Sequence, residues 1–181
     1  VARAWVEVLV RPRQFFRAAV TPGDQAPGFT FAVAVALVAS ATYFAFAPAA
    51  RPVYSGRPYA SLVLVVGLLG VVVAPIVLHL AAAVQTVCLL PADDRGGVSE
   101  TVQVIAYASA PCAFAGLPIP GMALLCGLYG FALLAIGVRE VHGVSVPVAL
   151  ATSVPAGVLV FGVAFRGFAD AARLLAVVQA L

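Results

Sequence analysis

The apolar positions of this chain fall in long uncharged blocks, not in the short alternating runs of a barrel strand. Gly28 to Ala47 is 20 residues without a charge, bounded by Asp24 and Pro27 on one side and Pro48 on the other. At a rise of about 1.5 Å per residue, such a run crosses the hydrocarbon core of a bilayer, about 30 Å thick. Ser61 to Leu90 is uncharged for 30 residues. As one helix it would measure about 45 Å, so it must tilt, bend at Pro75 or emerge, and its His79 to Leu90 end is expected near the interface. Thr101 to Val138, 38 residues, is too long for a single crossing. Leu117-Pro118-Ile119-Pro120-Gly121 interrupts it and predicts two helices joined by a tight turn. The last block, Val144 to Phe165, carries Pro147 near its start, where a missing amide is harmless, and Pro155 inside, where a kink is expected. The pattern predicts an all-α membrane protein with five transmembrane helices, near 28–47, 61–90, 101–117, 121–138 and 144–165.

Outside these blocks lie an N-terminal segment, 1–27, and a short tail, 167–181, that forms at most a short amphipathic helix. No fixed-period repeat is visible, and the linkers are too short for a separate domain, so 28–166 reads as one membrane domain. Trp5, Val8, Leu9, Phe15, Phe16 and Val20 are interleaved with Arg11, Arg13 and Arg17, which predicts an N-terminal amphipathic interfacial helix. Its functional reading is a surface for anionic lipid or a cytosolic partner, formed by Trp5, Arg11, Arg13, Phe15, Phe16 and Arg17. Its plainer reading is an anchor that sets topology. Four arginines within Val1 to Val20 do not match a cleaved signal peptide, so no removed segment is expected.

Composition agrees. The chain is 64% hydrophobic and 9% charged, against roughly 25% charged residues in a soluble domain. The formal charge of +3 comes from arginine alone, since there is no lysine, and the arginines lie mainly between the apolar blocks. That argues against a nucleic-acid surface. With the N-terminus inside, Arg3, Arg11, Arg13, Arg17, Arg95 and Arg139 are cytoplasmic and Arg51, Arg57, Arg166 and Arg173 are outside, six against four. The cluster before the first span favours this orientation. The expectation is a multi-pass protein of the cell (plasma) membrane, N-terminus cytoplasmic and C-terminus outside.

Polar residues within the blocks are few and therefore informative. Glu100, Gln103, Tyr107 and Pro111 fall within an arc of about 80° on one helix face, with Val102, Ile105 and Ser109 opposite, facing lipid or a neighbouring helix. His79, Ala83 and Thr86 share another face, from which Gln85 stands about 120° away. Arg139, Glu140 and His142 follow the fourth block at the level expected for Glu100 and His79. If these groups converge, they form a proton, ion or headgroup site; otherwise they are interhelical hydrogen bonds and snorkelling ends. No ligand spacing supports a metal at His79, Glu100 and His142, and no Gly-x-Ser-x-Gly elbow supports a hydrolase at Ser99 or Ser109. Cys88, Cys112 and Cys126 lack paired spacing and read as small core residues. No cofactor is expected. Small residues such as Gly67, Gly70, Gly127, Gly130 and Gly137 suit close helix packing, within the chain or with another copy.

The run Gly97-Val98-Ser99-Glu100-Thr101-Val102-Gln103-Val104-Ile105-Ala106-Tyr107-Ala108-Ser109-Ala110-Pro111, followed by Gly137-Val138-Arg139-Glu140-Val141-His142-Gly143-Val144-Ser145, resembles the core of the Yip (Ypt/Rab-interacting protein) domain family. Val8-Leu9, Pro12 and Phe15-Phe16 before the first span are similar to prokaryotic, haloarchaeal-like members. The resemblance implies a five-helix membrane domain with a cytoplasmic N-terminus. Eukaryotic relatives are associated with Rab GTPases, vesicle traffic and membrane shaping. No long cytosolic segment is present in this sequence, so the resemblance is not extended to that role.

The function expected from these residues is non-enzymatic organisation of membrane lipid or of a membrane or cytosolic protein partner, with a homo-oligomer among the alternatives. The rival is a transporter or channel for a small solute, ion or lipid along the stripe of Glu100, Gln103 and Tyr107. An intramembrane enzyme is the third option.

Overall fold

Pro12, Pro27, Pro58 and Pro147 each occupy the first turn of a helix, where a backbone amide has no intrahelical acceptor to lose. The computed structural model describes residues 1–92 and 96–180, so the assignment of Arg95 to the cytoplasmic side lies outside the described residues. The helices are α1 (Ala2–Val10), α2 (Pro12–Ala19), α3 (Ala26–Phe46), α4 (Pro58–Leu68), α5 (Ala74–Cys88), α6 (Val98–Ala108), α7 (Met122–His142), α8 (Val146–Gly157) and α9 (Gly167–Gln179). Among the described residues there is no strand.

The five-residue π turn Leu69–Val73 joins α4 to α5, giving one helical rod of 31 residues, Pro58–Cys88. The turn falls where Pro75 withdraws an amide from the carbonyl of Val71, and the wider π geometry accommodates that loss without ending the helix. α8 likewise runs on through Pro155 and continues as the π turn Val158–Ala164. Among the described residues, four helical segments are long and apolar enough to cross a membrane: Ala26–Phe46, Pro58–Cys88, Met122–His142 and Val146–Ala164. The chain is an all-helical, multi-pass membrane protein.

The block expected to supply the third of five spans folds differently. Instead of one helix over 101–117, α6 covers 11 residues and gives way to the 3-10 turn Ala110–Phe114. Pro111 lacks the amide that would extend the α-helical ladder, so the chain tightens there, well before Pro118. Every residue of α6 from Thr101 to Ala108 is buried, so Val102 and Ile105 meet neighbouring helices and not lipid. α6 is the central post of the bundle, packed on α3, α5 and α7.

Close packing around α6 depends on missing side chains. A Cβ on Gly137 of α7 would stand 2.7 Å from Val104 and 3.0 Å from the ring of Phe16, so α7 can lie against both α6 and α2 only with glycine there. At the far end of the bundle, the carboxylate of Asp170 on α9 accepts hydrogen bonds from the amides of Ala123 (3.0 Å) and Leu124 (3.3 Å). It satisfies orphan donors in the first turn of α7 and fixes α9 across that end.

Candidate functional site

The N-terminal segment is two helices, bent at Arg11, and the apolar side of that hairpin is buried in protein. Val8, Phe15 and Phe16 are buried, and Trp5 and Leu9 pack against them. Phe15 sits edge-on to Tyr107 (4.9 Å between centroids), which in turn meets Phe31 (5.1 Å). The indole of Trp5 donates to the carbonyl of Ala110 (2.8 Å) and meets Phe114 edge-on. Of the surface residues expected here, Phe15 and Phe16 therefore face the bundle, and Arg11, Arg13 and Arg17 face outward.

Depth along α7 locates the hairpin. Arg17 Nε bonds Glu140 Oε2 (2.6 Å) near the end of α7, Phe16 lies at Gly137, and the hydroxyl of Tyr129 donates to the carbonyl of Leu9. From Glu140 back to Tyr129 is about 16 Å along the helix axis. That is half the length of α7, so α1 lies beside the middle of a membrane-length helix and not at its end. Arg13 and Arg11 stand about 6 and 9 Å deeper than Arg17 at a helical rise. The exposed pair Arg3 and Glu7 (2.7 Å) lies on α1 itself.

The polar residues expected to converge divide into separate sets. Gln103 is fully buried; its amide nitrogen donates to the carbonyls of Thr21 (2.7 Å) and Ser99 (3.3 Å), and its oxygen accepts from the amide of Thr21 (3.2 Å). Ser99 Oγ accepts from the amide of Gly23 (2.8 Å) and donates to Glu100 Oε2 (2.9 Å). Together they latch the loop between α2 and α3 onto the first turn of α6. His142, also buried, reaches Thr101 Oγ1 through Nε2 (3.4 Å), tying the end of α7 to α6. Gly96 and Gly97 pass close over this group: a Cβ on Gly97 would stand 2.9 Å from Glu100 Oε2.

Other members stay apart. His79 is exposed, its Nδ1 2.8 Å from the carbonyl of Pro75 and its ring near Phe29, so it does not join Glu100 and His142. Tyr107 belongs to the aromatic contact with Phe15 and Phe31. Gln85 is buried on α5, and its side-chain nitrogen and oxygen have no protein partner. Arg139 lies 3.7 Å from Glu140, beside the Arg17 pair. Among the described residues, no group of three or more His, Cys, Asp and Glu side chains is arranged to hold a metal.

Thr21, Gly23 and Thr101 complete the latch without having been singled out from sequence, and Ser99, weighed there only as a hydrolase nucleophile, is part of it. The signal for them was the turn Thr21-Pro22-Gly23-Asp24, an exposed turn whose backbone amides and carbonyls are open to side-chain partners on the neighbouring helix. Replacing Gln103 with leucine removes both bonds to Thr21, whose exposed backbone can then be reached by water, and is expected to destabilise the protein by about 1–2 kcal/mol. Reversible unfolding in mixed detergent micelles measures it.

The arrangement offers the chemistry of docking, with ion pairs and hydrogen bonds that lock helix ends and a charged hairpin wedged beside α7. No curated protein and no solved structure matches the chain. The family model for the Yip1 domain matches residues 6–166, from α1 to the end of the last long helix. That match takes in the latch, the hairpin's buried face and all four long helices, and the chain belongs to the Yip1 domain family.

Proposed function

We propose that this protein is a non-enzymatic organiser of membrane lipid, acting through the α1–α2 hairpin as a charged wedge in one leaflet. The observation that carries the reading is the depth of α1, level with Tyr129 at the middle of α7. Arginine and glutamate side chains are too costly to leave in hydrocarbon, and bilayers respond to such groups by local thinning and by drawing in water and headgroups. Arg3, Glu7, Arg11 and Arg13 therefore pull the leaflet surface down beside α7, while the longer apolar helices hold full thickness elsewhere. The partner is lipid, anionic lipid above all.

Five crossings fit this reading. α6 and its 3-10 continuation are together about 26 Å long, close to a full hydrocarbon core. Irregular backbone is tolerated at that depth because α6 is enclosed by protein. An odd number of crossings puts the ends on opposite sides, and the arginine cluster before the first span supports a cytoplasmic N-terminus with α9 outside, in the plasma membrane. A solute path is less well supported: Gln103 and Glu100 are engaged in the latch.

Deuterium NMR of chain-deuterated phosphatidylcholine bilayers tests the wedge. Wild-type protein is expected to lower acyl-chain order, and Arg3→Leu/Glu7→Leu/Arg11→Leu/Arg13→Leu to restore most of it. Trp5, the only tryptophan in the chain, reports depth in the same bilayers. Quenching by lipids brominated near the chain ends is expected; quenching confined to bromines near the headgroup, with unchanged chain order, would overturn the reading.

A further inference from the structure

At the end of the bundle opposite the latch, a cavity of about 310 Å³ runs between α3, α5, α6 and the π turn after α8. Its volume is at the lower end of the range for ligand sites, roughly 300–1,000 Å³. Along α3 it extends from Ala32 to Tyr43, about 16 Å, which is close to the hydrocarbon thickness of one leaflet, about 15 Å. Small side chains, Ala32, Ala36 and Ala39, keep it open on one side, and Leu78, Ile105 and Val160 wall it on the others.

Both serine hydroxyls along the walls are already engaged. Ser40 Oγ donates to the carbonyl of Ala36 (2.7 Å), and Ser109 Oγ to that of Ala106 (2.6 Å). A sugar, an amino acid or a hydrated ion would lose hydrogen bonds on entering, whereas a hydrocarbon chain would lose none.

One charged group closes the set. Arg166 lines the end of the cavity, its guanidinium 3.8 Å from the centroid of the Tyr43 ring. No carboxylate pairs with it among the described residues, and the nearby Asp170 is occupied at the start of α7. Arg166 also holds a left-handed backbone conformation, φ 65°, that non-glycine residues seldom adopt. The backbone turn places a free guanidinium, with its planar donors, at the end of an apolar slot one leaflet deep.

We propose that this cavity binds one acyl chain of an anionic phospholipid whose phosphate pairs with Arg166. The site lies at the other end of the molecule from the hairpin and does not depend on the wedge. Net positive charge without a nearby free carboxylate selects an anionic headgroup over a zwitterionic one.

Native mass spectrometry of the full chain, released from detergent after equilibration with phosphatidylglycerol and phosphatidylcholine of identical chains, tests it. The wild type is expected to retain one phosphatidylglycerol with a preference of about tenfold. Arg166→Gln is expected to abolish that preference, and Ala36→Leu/Ser40→Leu, which fills the slot, to abolish retention of both lipids. Retention of both lipids alike by the wild type, a preference unchanged in Arg166→Gln, or retention unchanged in the filled variant would each overturn the proposal. Displacement of the phospholipid by equimolar palmitate would also overturn it, because the occupant would then be a free fatty acid. Arg166→Gln leaves the core untouched and keeps the test decisive if the double substitution does not fold.

Discussion

Replacing Gly116 with alanine is expected to destabilise the bundle by about 3 kcal/mol or more, because the new methyl group would collide with backbone and not with a movable side chain. A Cβ at that position would stand 2.3 Å from the carbonyl oxygen of Ala39 and 2.5 Å from the amide nitrogen of Tyr43. Both are backbone atoms of α3, in its last two turns, so relief requires the linker between the 3-10 turn and α7 to move away from α3 as a unit. Such movement would open the packing around Tyr43 and Arg166. Gly67→Ala is the matched control: nothing lies within 4 Å of a Cβ there, and alanine in a helix interior is favoured over glycine by up to about 1 kcal/mol. Unfolding in dodecyl sulfate and maltoside mixtures should show Gly116→Ala strongly destabilised and Gly67→Ala unchanged or slightly stabilised. Equal stability of the two would mean that the linker gives way without consequence.

Helix positions were legible where the apolar blocks were bounded by charge or proline. The block Gly28 to Ala47 and the helix Ala26–Phe46 differ by two residues at one end and one at the other. The break at Pro111 was hidden by its context, since the residues around it are as apolar as a span, and Pro118 and Pro120 gave a louder signal nearby. The central position of α6 was not legible either. A helix buried in protein and one facing lipid draw on the same side chains, because lipid tails are as apolar as a core. The polar stripe of Glu100 and Gln103 did mark the face that bonds to the rest of the chain, although it pointed to a pathway as readily as to a latch.

The hairpin shows the same limit more sharply. Phe15 and Phe16 on one side, with Arg11, Arg13 and Arg17 on the other, describe a helix with two unlike faces. Only the partner of the apolar face decides whether it floats on a membrane or wedges into a bundle. That partner is Gly137 and Tyr107, more than 90 residues away in sequence, and no local pattern links them. His79 errs in the opposite direction: its residue type suggested company for Glu100, but its helix turns it outward.

Arg17→Ala is the second substitution with a large expected effect, and it acts through Glu140. The carboxylate side chain of Glu140 is only 5% exposed, and its bond to Arg17 Nε is 2.6 Å long, while Arg139 remains 3.7 Å away. Removing one partner of a buried ion pair destabilises by about 3–5 kcal/mol, mainly because the other charge is left behind. Arg17 itself is two-thirds exposed, so solvent screens part of the pair and the expected loss falls to about 2–3 kcal/mol. Arg17→Ala/Glu140→Gln should recover most of that loss, since it removes the stranded charge while Phe15 and Phe16 still hold the hairpin. A double-mutant cycle read by unfolding in mixed micelles measures the coupling, and Trp5 quenching by brominated lipid shows whether the hairpin has risen from its place beside α7. Strong coupling together with an outward shift of Trp5 in Arg17→Ala would identify the ion pair as the clasp that holds α1 at depth. A loss below about 0.5 kcal/mol would class the pair with screened surface contacts and leave the aromatic side chains alone to hold the wedge.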